Sequence, residues 1–205
     1  MKIFKLIRII KDLLSDGPLV HDGWFRSRLD GESVNSNGSP IPWITYPAFD
    51  FLSSRLPYVE SVFEYGSGNG TLWWSTRSSM VRSIENDSKW YTKMTHLIPS
   101  NVELFYENLD NGANYEEKIL IDNRTYDIVV IDGRKRNNCI NHSLKRLKSN
   151  GIIILDNSDR EKYRQGRNQL FENGFKSIEF SGLCPIVNFK SQTSIFYRST
   201  NILGI

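Results

Sequence analysis

Cysteine is scarce. Cys139 and Cys184 are the only two in 205 residues, and they form neither a CxxC pair nor a zinc pattern. The count argues against a disulfide framework or a structural zinc, and free thiols suit a cytoplasmic protein. His21, His96 and His142 each lack a metal-ligating partner three or four residues away. No apolar run approaches the roughly 20 residues of a membrane span. There is no G-x-x-x-x-G-K-[ST] loop, which argues against nucleotide hydrolysis, and no G-x-S-x-G nucleophile elbow. No internal repeat is visible. Charge of one sign is not in large excess: 26 Lys and Arg stand against 23 Asp and Glu, for a net +3. That falls short of a dedicated nucleic-acid binder but allows an acidic substrate.

What is present divides into two parts. Residues 1–14 predict an amphipathic helix, with Ile3, Leu6, Ile7, Ile10, Leu13 and Leu14 on one face and Lys5, Arg8, Lys11 and Asp12 on the other. Charges recur too often for a signal peptide. Such a helix packs on its own domain or a second subunit, or lies on a membrane surface. Residues 15–43, rich in Gly, Ser, Asn and Pro, read as a long irregular connection of the kind that forms lids. Residues 1–45 are thus expected to be a helix plus a lid or docking segment, and residues 46–205 a single domain.

In the second part a helix at 46–56, with Pro47 in its first turn, leads into an alternating pattern. Strands are expected at 61–65, 81–85, 102–106, 127–131 and 152–155. Helices are expected at 71–78, 88–97 (Ser88 as N-cap), 115–121, 138–147 and 161–172, and strands at 175–180 and 193–197 close the chain. Unbroken apolar strand cores such as Ile128-Val129-Val130-Ile131 suit buried parallel strands. The pattern predicts an α/β fold: a doubly wound, mostly parallel seven-stranded sheet with an antiparallel edge pair and an N-terminal helical extension. Ligands of such sheets bind beyond the carboxyl ends of the strands.

The most informative stretch is Val62-Phe63-Glu64-Tyr65-Gly66-Ser67-Gly68-Asn69-Gly70-Thr71, between the first strand and the next helix. Glycines there let the backbone approach a ligand, and the helix N-terminus presents free N–H groups. The dinucleotide fingerprint G-x-G-x-x-G is incomplete, because Thr71 takes its third glycine position. The pattern acid-x-G-x-G-x-G fits Glu64, Gly66, Gly68 and Gly70 throughout. A carboxylate inside the loop suits a ligand carrying an ammonium and a sulfonium better than a pyrophosphate. Glu85 ends the second strand, where a carboxylate can accept hydrogen bonds from ribose hydroxyls; that feature serves either cofactor.

This stretch resembles motif I of the class I S-adenosylmethionine-dependent methyltransferases, and Glu85 matches their ribose-binding acid. Phe63-Glu64-Tyr65-Gly66-Ser67-Gly68-Asn69, Val130-Ile131-Asp132-Gly133-Arg134, residues 154–160 (ILDNSDR) and Ser194-Ile195-Phe196-Tyr197-Arg198 resemble bacterial methyltransferase-like proteins met among surface-polysaccharide or secondary-metabolite genes. The resemblance covers residues 43–205. It implies a Rossmann-like sheet and S-adenosylmethionine held by Glu64, Gly66, Ser67, Gly68, Gly70, Glu85 and Asp132. Gly70, where that group more often has Ser, is expected to change little.

Asp132, Asp156 and Asn157 end two neighbouring strands and could together hold Mg²⁺ or another divalent cation. The triad resembles the metal site of catechol O-methyltransferase-like enzymes. Alternatively Asp132 meets the cofactor or a helix N-terminus and the other two cap local structure. Asp132 is the candidate general base. Arg134-Lys135-Arg136 at a helix start is unfavourable for the dipole and points to an anionic substrate, or else to a solvated turn. His142 is expected at the surface or as a cap. Trp24 and Trp43 could line an acceptor pocket, and at least one of Trp73 and Trp74 should pack on the sheet. The expected function is methyl transfer to a small molecule or glycan, O-methylation being one form. The rivals are a nicotinamide-dependent oxidoreductase and a non-enzymatic module docking on membrane or nucleic acid.

Overall fold

The computed structural model describes residues 2–205. Met1, the first residue of the expected N-terminal helix, lies outside them. Four helices come first: α1 (Lys2–Asp16), α2 (Pro18–His21), α3 (Trp24–Asp30) and α4 (Tyr46–Arg55). Then come β1 (Val59–Tyr65), α5 (Asn69–Ser75), β2 (Ser78–Glu85), α6 (Ser88–Thr95), β3 (Val102–Tyr106), α7 (Asn114–Glu117) with a 3₁₀ turn, and β4 (Tyr126–Ile131). The chain ends with α8 (Arg136–Ser143), β5 (Leu147–Asp156), a 3₁₀ turn (Glu161–Tyr163), α9 (Arg164–Glu172), β6 (Lys176–Gly182) and β7 (Ser191–Tyr197).

The seven strands form one sheet in the order β3-β2-β1-β4-β5-β7-β6. β1 to β5 pair in parallel, while β7 runs antiparallel to both β5 and β6. The expected antiparallel edge pair is present, with β7 inserted between β5 and β6. Side chains alternate across the sheet as strand geometry requires. Val62, Ile128, Val130, Ile152, Ile154 and Ile195 pack on one face with Trp73, Trp74 and Leu52. Phe63, Tyr65, Val129, Ile131, Ile153, Leu155 and Phe196 pack on the other with Tyr115, Cys139 and Leu170. Both tryptophans of the adjacent pair are core residues, and the two cysteines are buried and free.

The segment read as irregular over residues 15–43 contains two short helices. Pro18 starts α2 after Gly17, and Gly23 (φ 80°) and Gly31 (φ 68°) bracket α3 in the left-handed region. The glycines that mimic loop composition act here as helix boundaries. The following stretch joins the domain core: Ile41 and Ile44 are buried with Tyr46, Leu52 and Trp74. The N-cap of α6 is Asp87, whose Oδ1 accepts the N–H groups of Lys89 and Trp90, and not Ser88. Asp87 is the better acceptor because its charge also meets the positive helix end.

The loops after β1 and β4 touch. Asp132 N–H donates to the Tyr65 carbonyl at 3.0 Å. A Cβ on Gly133 would lie 2.0 Å from Tyr115 Oη and 3.1 Å from the Gly66 nitrogen. Tyr115 is fully buried, so its ring has nowhere to move. Gly133→Ala is therefore expected to destabilise the fold by about 1–3 kcal/mol in urea unfolding, as overpacking does. Adding Tyr115→Phe, which removes the clashing atom, should recover part of that loss. Wild-type stability in the single variant would show that the two loops are not in contact.

Candidate functional site

The carboxyl ends of β1, β2, β4 and β5 open on a cavity of ≈ 480 Å³. Its floor is the glycine loop, Glu64, Glu85, Asp132, Asp156 and Asn157, and its walls include Trp43, Trp90, Arg134, Arg136 and Arg160. Every residue expected at the cofactor and the metal thus lines one space. None of the three histidines does.

Glu64 is placed by strand parity. It shares the sheet face of Val62, and its neighbours in register are Ser83 on β2 and Val130 on β4. Its Oε2 accepts the hydroxyls of Ser83 (2.8 Å) and Thr71. Thr71 Oγ1 also accepts the Gly68 N–H at 3.0 Å, tying the loop to the acid. Among the described residues no cation pairs with Glu64, and burial pushes its carboxyl up to about 8 despite both hydroxyls. Thr71, which spoils the dinucleotide fingerprint, is therefore a working part of the loop, and its Glu64-Ser83 partnership was readable only once strand register was known.

The glycines act differently from one another. Gly66 has φ 98°, and a Cβ there would meet Gly133 at 3.0 Å. Gly68 is extended (φ 169°), so any side chain tolerates its backbone, and an added Cβ would meet only the Trp90 ring at 3.8 Å or more. At Gly70 a Cβ would lie 2.9 Å from Glu64 Oε1. Glycine there does more than loosen a turn: it leaves room for the buried carboxylate.

Glu85 is 6 % exposed. Its Oε1 accepts the N–H groups of Asn86 (2.7 Å) and Asp87 (2.8 Å), and its Oε2 accepts the N–H (3.2 Å) and hydroxyl (3.1 Å) of Ser67. Trp90 Nε1 donates to the Ser67 carbonyl at 2.8 Å. Glu85 thus clamps the glycine loop as well as facing the cavity.

Arg136 reorganises the acidic end. Its guanidinium donates to the Gly133 carbonyl (3.0 Å), the Asp132 carbonyl (2.7 Å), Asp132 Oδ1 (2.9 Å) and the Asp156 carbonyl, and it stands 5.1 Å from the centre of the Tyr163 ring. Asp156 Oδ1 accepts Thr193 Oγ1 at 2.6 Å, its antiparallel partner in register. Asn157, at φ 49°, donates to Ser191 at 2.9 Å. Burial holds both aspartates above the usual carboxylate range, and the charge of Asp132 adds to the effect on Asp156. Of the side-chain donors expected to hold a divalent cation, Asp132 thus meets Arg136 through Oδ1, while Asp156 and Asn157 bond Thr193 and Ser191. The guanidinium therefore supplies a positive charge at Asp132.

The basic run Arg134-Lys135-Arg136 does not act as one cluster. Lys135 pairs with Glu116 at 3.1 Å and bonds the Gly112 carbonyl. Arg136 is buried, and among the described residues only Arg134 of the three makes no ion pair. A second arginine without an ion pair, Arg160, also lines the cavity. Asp132 precedes the helix that Arg136 starts, so no helical spacing announced their pairing.

Two segments close the cavity from above. Trp43 belongs to the N-terminal one, and Phe189 to the connection between β6 and β7. They are tied together by Trp24 Nε1 on the Val187 carbonyl (2.7 Å) and Arg28 on the Ile186 carbonyl (2.8 Å). Asn69 Nδ2 donates to the Ser33 carbonyl at 2.8 Å, fixing the N-terminal segment to α5. Of the expected pocket tryptophans, Trp43 lines the cavity and Trp24 anchors its cover.

The raised carboxyl of Glu64 has a consequence for stability. Its pKa in the folded chain, about 8, lies above the ordinary value of 4.5, so the folded state holds an extra proton between those limits. Stability from this group is full below 4.5 and is lost as pH rises through 8. Glu64→Gln, which keeps the shape without the charge, should leave the melting temperature near wild type at pH 5 and raise it above wild type at pH 9. An equal pH response in the two proteins would mean that Glu64 is not desolvated.

No family model matches the chain. No curated relative matches it either. Solved structures do. The precorrin 8w decarboxylase of Methanobacterium thermoautotrophicum superposes with a TM-score of 0.60 at 16% identity, over 83% of this chain and 97% of that one. The precorrin-6y C5,15-methyltransferase of Geobacter metallireducens gives 0.58 at 16%, over 84% and 96%. A Streptococcus mutans protein solved in complex with SAH gives 0.50 at 17%, over 72% and 94%. With its strand order, its antiparallel β7 and its cavity beyond β1 and β4, the chain has the fold of the class I S-adenosylmethionine-dependent methyltransferases.

Proposed function

We propose that the chain binds S-adenosylmethionine and transfers its methyl group to an oxygen of an anionic small molecule or glycan. The observation that carries this reading is Glu64: a carboxylate buried without a cation, facing a cavity beside a glycine loop. A ligand ammonium would supply the missing charge. Ser67, Gly68 and Gly70 leave the loop backbone accessible to the ligand's amino-acid part. Glu85 would take a ribose hydroxyl at Oε2, in place of the Ser67 hydroxyl it now accepts.

When bound, the cofactor supplies an electrophilic methyl group on a sulfonium. The chain's own part is to orient the acceptor, exclude water and take one proton. Asp132 is the base: it lines the cavity, Arg136 fixes it through Oδ1, and its raised pKa brings it nearer to working pH. Asp132 would take the hydroxyl proton of the acceptor oxygen as that oxygen receives the methyl group. Arg134 and Arg160 would bind the acceptor's negative charge, with Trp43 and Phe189 as apolar walls.

Calorimetric titration tests the cofactor. S-adenosylmethionine should bind, and Glu64→Gln should weaken it roughly tenfold or more, the equivalent of one charge-assisted contact. Binding of a nicotinamide cofactor with none of S-adenosylmethionine would overturn the reading. For the reaction, Asp132→Asn should lower kcat by about 10²–10⁴ with little change in cofactor affinity. Exhaustive chelation should leave activity intact, because Arg136 provides the positive charge. Activity restored only by Mg²⁺ would contradict that assignment.

A further inference from the structure

We infer that α1 is a docking helix for an anionic lipid surface, a reading independent of the chemistry in the cavity. Every described residue of this 15-residue helix is exposed, and none is buried by the domain. The expectation that it packs on its own domain is thereby overturned. Eight of the sixteen large hydrophobic side chains exposed on the described chain lie on α1, between 45 and 76 % accessible. Its one substantial neighbour is α2. So dense an apolar face is stable only when something covers it.

The pattern of charge selects the cover. At the helical angle of roughly 100° per residue, Ile3, Ile7, Ile10 and Leu14 form the centre of an apolar arc that Leu6 and Leu13 extend to about a third of the circumference, and Phe4 and Ile9, just beyond its borders, carry apolar surface over more than half. A two-helix seam needs only a narrow stripe. Lys2 and Lys11 stand at the two borders of the arc, where an ammonium can reach lipid headgroups while its stem stays in the apolar layer. The Lys11 border carries no acid with which a second copy's lysine could pair, and only Asp16 lies beside the Lys2 border. The acids of the helix are already engaged: Asp12 with Arg8 at 4.0 Å and Asp16 with His21 at 2.8 Å. Among the described residues Lys2 and Lys11 make no ion pair, so the helix offers uncompensated positive charge at the borders of its apolar face. Gly17 then leads through α2 to α3, whose Trp24 and Arg28 hold the cover of the cavity. Docking would bring that cover near the lipid surface.

Vesicle flotation of the full chain tests this. The protein should float with mixed phosphatidylcholine/phosphatidylserine vesicles and bind pure phosphatidylcholine roughly tenfold less, with binding falling as salt rises. Lys2→Gln and Lys11→Gln should each cost roughly fivefold on the mixed vesicles. Ile7→Glu with Ile10→Glu should abolish flotation, while thermal melting stays at wild type because neither side chain is buried. Retained flotation in that double variant would overturn the assignment. So would absence of flotation in the wild type; a dimer that the same double variant converts to monomer, read by light scattering, would then assign the face to a second copy.

Discussion

A carboxylate buried without a countercharge organises this molecule. Leaving Glu64 ionised among apolar side chains is costly, and the surroundings answer with the two donors within reach, Thr71 and Ser83. Much of the local sequence follows. Gly70 has to lack a side chain because the carboxylate stands against it. Thr71 has to carry a hydroxyl that both donates to Glu64 and accepts from the Gly68 N–H. Glu85 closes the arrangement by holding Ser67 with its other oxygen spent on the start of α6. The loop is thus shaped before any ligand arrives, which lowers the ordering cost of binding.

The second acidic group is solved differently. Asp132 and Asp156 end adjacent strands, and like charges at that distance raise one another's pKa. Arg136 inserts between the strand ends with four hydrogen bonds and draws the turn after β4 into a left-handed step at Lys135 (φ 47°). A buried guanidinium there holds Asp132 in one orientation, as the proposed base would need. The acid at Asp132 thus has its charge met by the protein, while Glu64 has no cationic partner among the described residues.

The strands and the glycine loop were legible in the sequence because each depends on local pattern: unbroken apolar runs alternating with helical segments, glycine spacing, an acid at a strand end. The seven strands fall where the alternation places them, with ends shifted by a few residues. What was not legible needed partners distant in the chain. Ser83 lies 19 residues from Glu64 and meets it only through parallel register, and Thr193 reaches Asp156 only because β7 inserts beside β5. Arg136 was read with Arg134 and Lys135 as one basic run for an anionic substrate or a solvated turn, and its return to Asp132 depends on the left-handed step at Lys135. The short helices between Gly17 and Gly31 were hidden by the residues that cap them.

The account turns on a ligand cation ionising Glu64, and that event has a direct signature. With the carboxyl near 8 in the free protein, Glu64 is mostly protonated at neutral pH. Titration of S-adenosylmethionine at pH 7 in buffers of different ionisation enthalpy counts the protons exchanged on binding. The account predicts release of about one proton per cofactor bound, and close to none in Glu64→Gln. Binding by the wild-type protein with no proton released, or with the same release in the variant, would contradict it.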